Sequence, residues 1–160
     1  MRFFHRFFAP ALLTFFFVAC SKPEPATAAA PAAKHEHKAP HGGTPVVLGQ
    51  EAYHLEFVRD AAAGKLAAYV LDGEMESFVR IKAASFDLTI KLPGLFHGLT
   101  LTAVANSATG ETVGDSAQFE TQAEWLKTTA SFDATLAALD IRGTNFTEVA
   151  FNFPKGNDKD

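Results

Sequence analysis

The chain has 160 residues, room for one domain plus appendages, with 14 Lys+Arg, 18 Asp+Glu and one cysteine. A formal charge of −4 offers no basic face to a nucleic-acid partner and is compatible with collecting cations. A single cysteine excludes an intrachain disulfide.

Arg2 and Arg6 form a short basic start, and residues 7–19 are an almost uninterrupted apolar run closed by Cys20. The run is too short to span a bilayer comfortably and has the basic-then-apolar order of an export signal. Phe17-Val18-Ala19-Cys20 resembles the lipobox of bacterial lipoproteins, with Phe17 where Leu is commonest. The resemblance implies that residues 1–19 are a lipoprotein signal peptide and that Cys20 becomes the lipidated amino terminus. Its sulfur would carry diacylglycerol and its amine an acyl chain such as palmitate. An ordinary secretory signal cleaved elsewhere, or an uncleaved anchor, is the alternative. Ser21, rather than Asp, follows the cysteine, and the family's sorting habit then points to the outer membrane of a Gram-negative cell, on its periplasmic face. Each buried methylene contributes roughly 0.8 kcal/mol, so several chains hold a protein stably on a bilayer. Without Arg2 and Arg6 the basic residues fall to 12 against 18 acids, a formal −6.

Residues 20–43 are rich in Ala, Pro, His and Lys/Glu and lack apolar periodicity. Such a composition buries too little surface to offset the entropy of ordering, so a disordered tether is expected there. From residue 44 the pattern changes to short alternating runs broken by turn residues. Strands are expected over 45–48, 53–59, 66–71, 77–81, 86–92, 99–104, 118–120, 132–141 and 146–153, with one or two helical turns over 122–127. Phe86, Leu88, Ile90 and Leu92 alternate most cleanly. Asp72-Gly73 and Pro93-Gly94 mark turns. Eight or nine short antiparallel strands without a long helix predict an all-β two-sheet sandwich over 44–154, in preference to a barrel, followed by a polar tail over 155–160.

His35, His37 and His41 fall within seven residues at the junction of tether and domain. Imidazole suits zinc and copper, and three His, or two His with a carboxylate, make a usable site. Two residues apart in extended chain, His35 and His37 point the same way, and Gly42-Gly43 lets the backbone turn after His41. His54 and Glu56 share the more polar face of the 53–59 strand. A composite site of His41, His54 and Glu56 is therefore expected, with the tether folding back on that strand. Glu74, Met75 and Glu76 add two carboxylates and a thioether suited to Cu⁺. The plainer reading makes His35 and His37 solvated spacer, His54 a surface residue, His97 a turn residue near the core, and Glu74–Glu76 ordinary loop.

The run H-x-H-x-x-P-H-G-G, followed by Tyr53-His54-Leu55-Glu56, Gly64-Lys65-Leu66 and Tyr69-Val70-Leu71-Asp72, resembles uncharacterised bacterial envelope lipoproteins. It is also similar to the His-containing N-terminal region of periplasmic adaptor proteins of heavy-metal efflux systems. The resemblance implies an envelope β-sandwich that handles soft metal ions. It departs at Glu74, where those proteins often carry His. The expectation is a lipid-anchored, non-catalytic protein binding Zn²⁺ or Cu⁺/Cu²⁺ through His35, His37, His41, His54 and Glu56. Its partners would be the membrane and a metal-efflux system or another envelope protein. The alternative is an interaction module with an incidental His-containing linker. Neither G-x-S-x-G, HExxH nor a phosphate-binding Gly loop is present to support an enzyme.

Overall fold

The computed structural model describes residues 38–158. The expected signal peptide, Cys20, His35 and His37 lie outside the described residues.

Among the described residues eight strands follow in order: β1 (Thr44–Leu48), β2 (Tyr53–Asp60), β3 (Lys65–Asp72), β4 (Ser85–Leu92), β5 (Leu95–Ala103), β6 (Gln118–Gln122), β7 (Phe132–Ile141) and β8 (Thr144–Phe153). One 3-10 turn, Glu124–Lys127, precedes β7. All pairings are antiparallel, in the spatial order β1-β2-β3-β6-β5-β4-β7-β8.

This is one continuous sheet, curled into a nearly closed barrel, where the sequence led us to expect two separate sheets. The joint is β6. It pairs with β3 from Lys65↔Gln122 to Tyr69↔Gln118, and with β5 through Thr102↔Glu120 and Ala103↔Phe119. That short strand keeps the two halves in one ladder. Alternation identifies the inward face of each strand but not its neighbours, so sandwich and barrel leave the same pattern.

The inward faces of all eight strands meet in one core. Val46, Phe57, Val70, Leu88, Leu101, Phe119, Leu136 and Phe151 are all buried there. Phe57 of β2, next to the β1 end of the ladder, stacks on Phe151 of β8 at the other end, with centroids 4.8 Å apart. Full burial of such a side chain contributes about 1.5–3 kcal/mol.

Outside, the seam between β1 and β8 is closed by the segment expected to be a polar tail. Val47 N–H donates to Asn157 Oδ1 at 2.8 Å, and Asn157 Nδ2 donates to the Val47 carbonyl at 3.0 Å. A single side-chain amide thus stands in for a neighbouring strand. Thr44 Oγ1 donates to the Pro154 carbonyl. Gly156 packs so closely that a Cβ would sit 2.3 Å from the Pro45 oxygen. Pro45 itself has no N–H to offer another strand, which suits an edge position.

Two strand expectations change for local reasons. Pro93-Gly94 forms a two-residue turn with Leu92 opposite Leu95, so β5 begins four residues earlier than expected. Residues 77–81 give only isolated bridges, Leu71↔Phe78 and Ile81↔Ser116. Instead of a tight hairpin at Asp72-Gly73, the Asp72 carboxylate accepts the Glu76 and Ser77 N–H groups and shapes a longer loop. Those bonds outweigh desolvation and hold its carboxyl below the ordinary range.

Candidate functional site: a buried carboxylate that holds His41

Residues 38–43, expected in the disordered tether, form a turn laid against β2. The Gly42 N–H donates to the Ala39 carbonyl at 3.0 Å, closing a β-turn with Pro40 and His41 at its centre. Gly42 follows at φ +67, a conformation that a side chain disfavours. Gly43 then approaches β2 so closely that a Cβ would lie 2.6 Å from the Phe57 oxygen and 2.7 Å from Val58. Both glycines of the P-H-G-G run therefore have a steric reason.

The turn wraps Glu56. The side chain of this residue is 0% exposed, although it projects from the outer face of β2. One oxygen, Oε1, accepts the backbone N–H groups of His41 and Gly43, each at 2.8 Å. The other, Oε2, lies 2.8 Å from His41 Nδ1. An acceptor carboxylate at that distance selects the His41 forms with a proton on Nδ1. The far ring nitrogen, Nε2, lies on the side away from Glu56, and the His41 side chain is 37% exposed. Its ring stacks on Tyr69, directly opposite Glu56 in the β2–β3 register, with centroids 3.9 Å apart and planes at 18°. Three constraints thus fix one imidazole: a turn, a buried acid and an aromatic plate.

Of the expected composite site, His41 and Glu56 come together and His54 does not join them. His54 shares their strand face, but it is buried, and its Nδ1 lies 3.3 Å from the Asp72 carbonyl. It is neither the surface residue of the plainer reading nor turned to solvent as a ligand. Glu56 has its oxygens occupied by N–H donors, so it works as a holder of His41 in place of a first ligand. Among the described residues, no group of three or more His, Cys, Asp or Glu is placed to hold a metal ion. Met75 is 2% exposed with φ +57, so its thioether is packed inside and not offered to a soft ion. His97 sits on β5, not in a turn, with its ring 6.0 Å from Trp125.

Beside His41 a groove of about 390 Å³ opens on the outer face of β3 and β6. Phe78, Arg80 and Glu111 line it together with Tyr69. The sequence reading missed these residues. Only Tyr69 left a signal, being the bulky outward residue of β3 across from Glu56. Burial raises the Tyr69 phenol above its ordinary value, with the Glu120 carboxylate adding to the effect. A larger, more open concavity of about 790 Å³ lies among Lys91, Phe96, Asp133 and Asn157, and no histidine among the described residues lines it.

Searches with the chain against family models, characterised proteins and solved structures return no match.

Proposed function

We propose that this protein is a lipid-anchored envelope protein, held by Cys20 and facing the periplasm, that binds Zn²⁺ or copper ions through His35, His37 and His41 without catalysing a reaction. The observation that carries the reading is the His41 Nδ1–Glu56 contact at 2.8 Å. Metal-ligating imidazoles are commonly fixed by a carboxylate on their second nitrogen, which sets the tautomer and raises the basicity of the ligating one. Glu56 supplies that carboxylate from a fully buried position, and His41 Nε2 is left as the coordinating atom. His35 and His37 lie six and four residues upstream. At about 3.3–3.6 Å per extended residue, both can fold back to that nitrogen. Relative to the sequence expectation, the ligand set loses His54 and Glu56 as direct donors and gains Glu56 as an orienting group. A metal-efflux component is the partner such a role would serve.

The test is calorimetric titration of the full, detergent-solubilised chain with Zn²⁺ and Cu²⁺, and with Cu⁺ under anaerobic reducing conditions. Stoichiometric binding that disappears in a His35/His37/His41→Ala variant is expected. Absence of binding, or binding unchanged by the variant, would overturn the reading. A second reading, an envelope interaction module, draws on the exposed Leu95 and Phe96 at the β4–β5 turn, 54% and 69% accessible. Metal-independent co-purification of one partner, lost in Leu95→Ser/Phe96→Ser, would favour it.

A further inference from the structure

The groove next to His41 has a chemistry that the metal reading does not use. Its volume, about 390 Å³, falls in the range of small-molecule sites. One wall is aromatic. Phe78 lies 5.7 Å from the His41 ring and 6.1 Å from Tyr69, and it is 52% exposed, with much of its apolar face open to solvent. That open face, beside two stacked rings, offers room for a planar ligand to stack.

Two charged side chains also line the groove, and they differ in how fully they are engaged. The Glu111 carboxylate accepts the Ala117 N–H at 2.8 Å and the Thr109 hydroxyl. The Ala117 bond above all holds its carboxyl below the ordinary range, so Glu111 is an ionised strut of the loop between β5 and β6. Arg80 faces that carboxylate, whose charge it helps to hold, but makes no hydrogen bond to it. Its Nη2 donates to the Thr109 carbonyl, which fixes the guanidinium plane. Its other terminal nitrogen lies 3.5 Å from the Asp115 carboxylate, at the outer limit of a hydrogen bond, and Asp115 is 58% exposed. An exposed pair at that distance is weak.

A planar apolar wall beside an oriented guanidinium suits a flat ring bearing a carboxylate. Such a ring would lie along Phe78 and His41, with its carboxylate turned to Arg80 for charge-assisted hydrogen bonds. Glu111 and Asp115 oppose an anion here as Arg80 opposes a cation, but the Glu111 oxygens already accept the Ala117 N–H and the Thr109 hydroxyl, so the guanidinium is the charged group with donors left for a new partner. We propose that this groove binds small aromatic carboxylates, of the indole-acid or phenolic-acid kind, with Phe78 as the stacking surface and Arg80 as the anion contact. Asp115 competes for the same guanidinium and weakens the site.

The experiment is isothermal titration of the full chain with indole-3-acetate and with its neutral isostere indole-3-acetamide. Chelator is present throughout and empty micelles serve as the blank. Because no metal is present, the outcome is independent of the metal reading: either can fail while the other stands. Saturable acetate binding at least about tenfold tighter than the amide is expected, the scale of one charge-assisted contact. Arg80→Gln should erase that preference, Phe78→Ala should weaken both ligands, and Asp115→Asn should tighten acetate several-fold. Equal binding of acetate and amide by the unaltered chain would overturn the proposal, as would no saturable binding, or an Asp115→Asn variant with unchanged affinity.

Discussion

Replacing Glu56 with Ala removes the acceptor for three N–H groups at once: the His41 and Gly43 amides and the His41 ring. Hydrogen bonds to a charged group contribute about 1.5–3 kcal/mol each, and a buried donor left unpaired costs about 1–3 kcal/mol. A simple sum overshoots, because residues 38–43 can lift away and let water satisfy the two amides. The penalty is then limited to losing the docked turn, its stack on Tyr69 and the contact under Gly43. A destabilisation of about 2–4 kcal/mol is expected, read from the urea midpoint at constant m-value. Glu56→Gln keeps an oxygen for the two backbone donors and should cost clearly less. Hydrogen exchange supplies the local readout: the Gly43 amide should lose its protection outright in the Ala variant, while the β4 and β7 amides stay protected and fall only by the global loss of about 2–4 kcal/mol. A Glu56→Ala chain within about 0.5 kcal/mol of the original, with the Gly43 amide still protected, would refute the proposition that this carboxylate anchors the turn.

Asn157→Ala should destabilise the protein by about 1–3 kcal/mol, since it leaves both polar groups of Val47 without their partner at the seam. It should also produce concentration-dependent association in sedimentation velocity, through the uncovered β1 edge. Gly43→Ala should release the turn much as Glu56→Ala does, whereas Gly98→Ala, where a Cβ meets nothing within 4 Å, should be neutral or slightly stabilising in the same urea assay. In acid, Glu111 and Asp72 act together. Their folded-state values lie below the ordinary carboxylate range, so their contribution is complete above about pH 5 and is lost as the pH falls through those lowered values. Stability measured by urea should drop below about pH 5, and Glu111→Gln should flatten that drop while lowering stability at neutral pH.

Much of the ladder was legible because its physics is local. The alternation of Phe86, Leu88 and Ile90 survives intact as the buried face of β4, and Arg142-Gly143 forms the two-residue turn between β7 and β8 with φ 52 and 87. Strand order was not legible, because which strand β6 joins depends on long-range pairing that leaves no mark on its five residues. Closure of the seam depends on Asn157 meeting Val47, 110 residues away, and a lone Asn in a polar tail carries no sign of that. The site was half legible. The pattern placed His54 and Glu56 on one face, which is correct. It also expected the tether to fold back on that strand, but a strand's own alternation cannot report that the covering turn buries Glu56 completely and occupies both its oxygens. The clue was the P-H-G-G run itself, whose two glycines are needed for a positive φ and for close contact with β2.

The most direct test of His41 as a metal ligand is a long-range ¹H–¹⁵N correlation spectrum of the histidine rings in mildly alkaline buffer, before and after Zn²⁺ is added. The expected result is a His41 ring protonated on Nδ1, with Nε2 the nitrogen whose shift moves on metal addition. In Glu56→Gln that tautomer preference should weaken. A His41 ring protonated on Nε2 in the original chain, or one whose nitrogens do not respond to Zn²⁺, would contradict Glu56 as the orienting carboxylate and His41 as the ligand it holds.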